Sequence, residues 1–337
     1  MDESPTVGVI GVGTMGSHFV KWVRAELPVV AFDIDDDRMR IAAEFGATRA
    51  ADPADVARQT DIVVLSLPGS AYVEAAMEGA DGVLAGLGAD MVVIDTGTSR
   101  IETDWHYAEQ CRKNNAELLD APVTWGGPGD RVTMFVGGPA PAVAQADPVL
   151  SAITSQYAHF GPLGAGQVVK AAHRLRQNNH AMVDAEIVDF MRQAGVDPAA
   201  VNDLLELGIH DGMFAENVPA IDGWSTARND PPARPNIDEA IAMHEGPTGP
   251  RMDVSHWAKD HAYAIEIGHA IRAAMPISSA TYQALLAAEN YASALLERPL
   301  AFQDDAWYDR ADPISHYRRL NRPAEMWNQL ERASSDE

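Results

Sequence analysis

The stretch VGVIGVGTMG constrains this chain more than any other feature. It sets Gly11, Gly13 and Gly16 directly after a short apolar run and at the start of a helical stretch. A strand that turns on glycine into a helix leaves unpaired N–H groups at the helix start, and these bind phosphate. Gly11 permits the tight turn, Gly13 lets the backbone approach a pyrophosphate, and Gly16 lets the helix pack on the strand. Thr14 and Met15 belong to the same phosphate-facing turn. The plain alternative is a glycine-rich turn without a ligand, and the strand-then-helix context weighs against it.

The same alternation recurs downstream. Residues 6 to 162 carry the β-rich runs TVGVIG, PVVAFD, DIVVLSLP, MVVIDT, ELLDAP and VTMFVGG, separated by helical stretches. Such an order implies a mostly parallel sheet covered on both faces, an α/β doubly wound fold of Rossmann type. From about Gly164 the texture changes. A stretch with few breakers runs from Gly164 and Gly166 to about Ala194 and reads as one long interdomain helix, with an all-helical second domain beyond it. The expected division is 1–162 for the dinucleotide-binding domain, 163–297 for the all-α domain and 298–337 for a C-terminal extension. Within the second domain, 208–252 is a proline- and glycine-rich irregular excursion, the kind of segment that forms lids or subunit contacts. The extension holds Trp307, Tyr308, Tyr317 and Trp327, aromatics that need a surface to bury against.

Composition narrows the function. The 337 residues are 46% hydrophobic and 22% charged, an ordinary globular balance. A net charge of −24, from 49 acids against 25 bases, argues against nucleic acid and anionic membrane surfaces as partners. Cys111 stands alone, and the sequence has no signal-peptide pattern and no apolar run long enough to span a bilayer, so a cytoplasmic protein is expected. The histidines show no zinc spacing and no metal is expected: His256 and His261 are five apart, and His210 and His244 lie in irregular sequence. No GxSxG turn follows a strand, which disfavours a hydrolase.

The cofactor expected is NAD rather than NADP. Asp33 ends the second strand, where a carboxylate accepts hydrogen bonds from the adenosine ribose and repels a 2′-phosphate. Asp35, Asp36 and Asp37 add to that repulsion, while Arg38 and Arg40 work against it; the acidic run also reads simply as a helix N-terminal cluster. Leu67 and Pro68 in LSLPGS, and Thr98 in IDTGTS, fall at the carboxyl ends of strands, where ligands sit in open α/β sheets. Thr98 is the candidate hydroxyl near the nicotinamide, with an ordinary capping threonine as the alternative.

Only four lysines occur, at 21, 113, 170 and 259. Lys170 lies in the first turns of the long helix, with His173, Arg174 and Gln177 on the same face at helical spacing. A dehydrogenase needs such a group, because hydride leaves a carbinol carbon only as the hydroxyl proton is removed, and a nearby cation tunes an amine toward that task. The bland alternative is a solvated helix lysine.

The ordered pieces GVGTMG, FD (32–33), LP (67–68), DAPVTWGG (120–127), FVGG (135–138), GAGQVVK (164–170) and KD (259–260) resemble the β-hydroxyacid dehydrogenase superfamily, which includes 3-hydroxyisobutyrate dehydrogenases and relatives of 6-phosphogluconate dehydrogenase. The resemblance spans roughly residues 6 to 297. It implies an NAD-dependent oxidoreductase acting on a small acidic hydroxy or carbonyl substrate, with Lys170 as general acid/base. It also places Thr124 and Gly126 in the substrate-carboxylate loop and sends Lys259 toward cofactor and substrate. For these residues, a turn after DAPV and a surface ion pair of Lys259 with Asp260 are the alternatives. The chain departs from the family in two places. Trp125 stands inside the carboxylate loop, and KAAHR puts His173 and Arg174 where K-x-x-N-N is common. A fixed Arg174 suits a carboxylate, phosphonate or sulfonate.

Competing readings are an oxidative decarboxylase like 6-phosphogluconate dehydrogenase, an imine reductase, and a catalytically inert NAD-binding scaffold. Gln177 stands where the decarboxylases carry a second acid, and imine reductases commonly lack the lysine. A homodimer is the expected assembly.

Overall fold

In the computed structural model, residues 4–125, 130–209 and 254–296 are described. Gly126, nearly all of 208–252 and the 298–337 extension therefore lie outside the described residues.

The described chain forms two compact units that divide between Lys170 and Ala171, inside the long helix rather than ahead of it. The first unit opens with β1 (Val7–Ile10), α1 (Thr14–Arg24), β2 (Val29–Phe32), α2 (Asp36–Glu44), β3 (Thr48–Arg49), α3 (Pro53–Arg58) and β4 (Ile62–Leu65). It continues with α4 (Ser70–Met77), α5 (Val83–Gly86), β5 (Val92–Asp95), α6 (Ile101–Lys113), β6 (Glu117–Asp120), β7 (Val123–Thr124), β8 (Val132–Gly137), α7 (Ala140–Ile153) and β9 (Thr154–Gly161).

These strands make one sheet in the order β3-β2-β1-β4-β5-β6-β8-β7, with β9 also paired to β8. From β3 to β6 all pairs are parallel. The order reverses at β1, the switch point where doubly wound folds hold ligands. β8 runs antiparallel to β6 and β7, and β9 returns parallel to β8.

The central strands read as continuous apolar runs because both faces are covered. Val7, Val9, Val64 and Ile94 point to one side, against Phe19, Val20 and Val23 of α1 and the apolar face of α7. Val63, Leu65, Val93 and Leu118 point to the other, against Val73 and Met77 of α4 and Tyr107 and Cys111 of α6. Cys111 is fully buried there. Burial, then the Glu117 carboxylate, pushes its thiol up to about 12, so it stays protonated.

The second unit is helical throughout its described residues. It holds α8 (Ala165–Gln193) from Ala171 onward, α9 (Pro198–Leu205), α10 (Val254–Ala270) and α11 (Pro276–Leu296). Ala262, Ile265 and Tyr282 form its apolar centre with Met275 and Leu286. Beside them lies a buried polar chain. His261 Nε2 lies 2.9 Å from the Ser278 carbonyl and Nδ1 3.3 Å from the Asn178 amide, an arrangement that fits a neutral imidazole donating from Nε2. Burial lowers the His261 pKa and keeps the ring neutral.

Candidate active site

The glycine-rich turn is built as its spacing predicts. Gly11 has φ +88°, and a side chain there would strike the Ser66 carbonyl oxygen. A Cβ at Gly16 would run into the Gly11 carbonyl oxygen, so close packing of turn and helix dictates that residue. Gly13 differs: a Cβ there would meet only the tip of the Arg38 side chain, within 2.9 Å. Its smallness leaves space on the open side of the turn, which is what a pyrophosphate approaching the backbone requires. Helix α1 begins at Thr14 with no side-chain cap, so its first N–H groups, those of Thr14, Met15 and Gly16, are offered to a ligand. The residues present fit a dinucleotide.

Asp33 holds this turn from the end of β2. Its carboxylate accepts the Val12 N–H at 2.6 Å and the Asp35 N–H at 2.9 Å, with the residue 8% exposed. Each oxygen keeps a lone pair for a ribose hydroxyl. The acids after it are matched by arginines, which corrects the expectation that they strengthen repulsion of a 2′-phosphate. Asp35 caps α2 through the Asp37 N–H and lies 3.5 Å from Arg38, while Asp36 pairs with Arg49 and Asp37 with Arg40. The helix-terminal alternative describes them.

Leu67 is half-buried and Pro68 exposed after β4, and Thr98 is half-buried after β5. The Gly97–Ser99 segment is tied to α8 by Gln167, which is 2% exposed. Gln167 accepts the Ser99 N–H at 3.3 Å through Oε1 and donates from Nε2 to the Gly97 carbonyl at 3.1 Å.

The start of α8 is seated on Asp120, the last residue of β6. Its carboxylate accepts the N–H groups of Gly164 and Gln167, each at 2.7 Å, and so caps the helix from a distant strand. A Cβ on Gly166 would strike the Phe135 carbonyl and lie 2.8 Å from the Asp120 carbonyl oxygen. Gly166 therefore lets the helix sit directly on the strand ends. Three buried acids gather here: Asp95, Asp104 and Asp120 are all 0% exposed. Burial, then Asp95 and Asp120, raises the Asp104 pKa well above the carboxylate range, and burial raises that of Asp120 to about 7. Two N–H donors at a helix start favour charge on Asp120, while burial and the side-chain hydrogen bond to Asp95 favour the protonated form of Asp104.

Lys170 is 3% exposed, and its Nζ donates to the Val123 carbonyl at 2.6 Å. It is not the solvated helix lysine of the bland alternative. Thr124 follows Val123, with its hydroxyl donating to the Trp125 carbonyl at 3.1 Å. Trp125, 41% exposed, packs edge-on against His18 and Trp22 of α1, with ring centroids 5.5 and 6.1 Å away. Burial and Lys21 lower the His18 pKa, which favours its neutral ring, and the Arg131 guanidinium lies 5.9 Å over the Trp22 ring.

In the helical unit, Arg174 is less free than its sequence position implies. Its Nε donates to Asp260 at 2.8 Å and one terminal nitrogen to Gln177 at 2.7 Å. Lys259 lies 3.1 Å from the other Asp260 oxygen and 5.2 Å above the Tyr263 ring. With side chains 7% and 4% exposed, Lys259 and Asp260 form a buried pair, which corrects the surface-pair alternative. The His173 Nδ1 is also buried. Asp120, Gln167, Asp104 and Asp260 went unassigned from sequence. The DAPV, GAGQ and KD motifs contain Asp120, Gln167 and Asp260, and Asp104 carried no chemical signal of its own. Among the described residues no cluster of His, Cys, Asp or Glu could hold a metal, and no helix is long and apolar enough to cross a membrane.

A switch-point sheet, an open glycine turn at a helix start and a terminal Asp33 define a dinucleotide-binding domain of Rossmann type. A profile for the NAD binding domain of 6-phosphogluconate dehydrogenase matches residues 6–161. The L-threonate dehydrogenase of Cupriavidus necator is 31% identical over 228 residues, 65% of this chain and 75% of that protein. A probable mitochondrial 3-hydroxyisobutyrate dehydrogenase of Dictyostelium discoideum is 29% identical over 230 residues, 67% of this chain and 66% of that one, just under two thirds of its length. The solved 3-hydroxyisobutyrate dehydrogenase of Salmonella typhimurium shares the fold, with TM-score 0.67, 23% identity, and coverage of 87% of this chain and 99% of that chain. The chain belongs to the β-hydroxyacid dehydrogenase superfamily.

Proposed function

We propose that this protein oxidises the hydroxyl of a small acidic, 3-hydroxyacid-like substrate, or reduces the matching carbonyl, with NAD and with Lys170 as general acid/base. The observation that carries the reading is the burial of Lys170, with its amine on the Val123 carbonyl at the head of the Thr124–Trp125 loop. A bond to a backbone carbonyl holds the amine in place beside that loop, and a buried lysine is a group that can exchange a proton with a substrate oxygen. Bound NAD supplies the hydride acceptor.

In the forward direction neutral Lys170 takes the hydroxyl proton, and in reverse its ammonium returns it. Gly11, Gly13, Thr14, Met15 and Gly16 hold the pyrophosphate, Asp33 the adenosine ribose, and Leu67, Pro68 and Thr98 line the nicotinamide side. Thr124, Trp125 and Gly126 receive the substrate acid group. His173, Arg174, Gln177 and Lys259 are retained as candidate contacts. Preference for NAD rests on Asp33 alone, because the neighbouring acids are matched by arginines. Gln177 is neutral and bonded to Arg174, so no second acid stands there for a decarboxylation. The homodimer reading is supported by Val183, Ile187 and Phe190, which share one side of α8 and are 48%, 40% and 73% exposed.

The test is a screen of small hydroxy acids with NAD and with NADP, following absorbance of the reduced cofactor. Lys170→Ala is expected to abolish turnover while NAD still binds. Near-normal turnover in that variant would sink the mechanism, and a strong NADP preference would sink the Asp33 argument.

A further inference from the structure

We propose that Gln167 is a positioning residue, whose side-chain amide fixes the Gly97–Ser99 segment to the first turn of α8 and thereby holds Thr98 in register with Lys170. The inference rests on the dehydrogenase reading.

The geometry is specific. In a parallel sheet, a residue of one strand bonds the carbonyl and the N–H that flank its partner on the next. Gln167 does this with its side chain. Nε2 donates to the Gly97 carbonyl and Oε1 accepts from the Ser99 N–H, so the amide brackets Thr98 as a neighbouring strand would. It extends the ladder of β5 beyond Asp95 to the rim where a ligand binds. The Gln167 backbone N–H is meanwhile held by Asp120 at 2.7 Å, so the bracket cannot drift from the strand ends. Lys170 follows three residues later on the same helix turn. The loop residue and the lysine are thus joined through one buried amide.

The surroundings hold that amide in a single orientation. Nε2 also donates to Asp104 Oδ2 at 3.4 Å. The charged and titratable groups around it are Asp104 from α6, Asp95 from β5, Asp120 from β6 and Lys170 on its own helix. A flipped amide would set its oxygen against acid and carbonyl acceptors. An isosteric apolar side chain would leave the Gly97 carbonyl and Ser99 N–H buried without this partner.

The test uses the full chain, with NADH as the binding probe and the best hydroxy acid of the screen as substrate. Gln167→Met is expected to lower kcat about 10- to 100-fold, as misplacement of a reacting group by around an ångström does. NADH affinity should stay within about twofold, because the glycine turn and Asp33 are untouched. Gln167→Glu keeps an acceptor for Ser99 and regains a donor for Gly97 only when its new carboxyl is protonated. Its kcat relative to the parent should therefore rise as pH falls. The inference is overturned if Gln167→Met keeps the parent kcat, if its loss of kcat is matched by lost NADH binding and lost helical signal, or if the Gln167→Glu ratio is flat with pH. Should Gln167→Met fail to fold, the Gln167→Glu profile decides alone. A parent that binds no NADH and oxidises no hydroxy acid would instead overturn the dehydrogenase reading itself.

Discussion

Removing the Asp260 carboxylate should destabilise the helical unit severely. Asp260 is shared by two cations, Arg174 at 2.8 Å and Lys259 at 3.1 Å, and the three side chains are 4%, 12% and 7% exposed. Asp260→Ala leaves two buried positive charges without the carboxylate between them. Breaking a buried ion pair from one side costs about 3–5 kcal/mol, most of it for the charge left behind. Arg174 retains Gln177 and Lys259 retains the Tyr263 ring, which points to the lower part of that range. For a unit of this size the cost corresponds to a fall in melting temperature of roughly 6 to 20 °C. Far-UV circular dichroism during heating reads the transition, and the two compact units call for fitting separate transitions rather than one. Adding Arg174→Met to Asp260→Ala should recover part of the loss, since one orphaned charge disappears with it. A fall of less than about 2 °C in the single variant would refute the claim that these charges depend on one carboxylate.

The seat of α8 gives two further expected outcomes. Asp104 titrates above its unfolded value, so the folded chain holds a proton that the unfolded chain has lost, and stability falls as pH rises between those two values. Asp104→Asn mimics the protonated acid without titrating, and in chemical denaturation its stability relative to the parent should increase from about pH 5 to about pH 8; a constant difference would place the proton elsewhere. Gly166→Ala sets a methyl against the Phe135 and Asp120 carbonyl oxygens, which cannot yield as a side chain would, and should cost about 1–3 kcal/mol in the same assay.

The sequence disclosed those parts of the molecule whose cause is local. A turn on Gly11 and Gly16 follows from steric demands within a few residues, and the long helix expected from Gly164 to about Ala194 is observed over Ala165–Gln193. β9 escaped notice because it is an edge strand with exposed Ser155, Gln156, Ala158, His159 and Phe160, so it lacks an apolar alternation. The placement of candidate site residues was legible where a motif carried it, as with Lys170 near the start of the long helix and Asp33 after β2. It was not where the meaning of a residue lies in a distant partner. Arg174 reads from sequence as a cation for a substrate acid group, and Asp260, 86 positions away, is its partner in the structure. Asp104 belongs to no motif, and its meaning comes from Asp95 and Asp120 beside it at the carboxyl ends of β5 and β6.

The buried Cys111 has a practical corollary. It is the only cysteine in 337 residues, and its thiol, pushed up to about 12, is closed to electrophiles at ordinary pH. The native protein is therefore a silent background for thiol chemistry. A single cysteine introduced beside Trp125 would be the one site that accepts a maleimide dye, and ligand binding near that residue could be followed without first removing any natural residue.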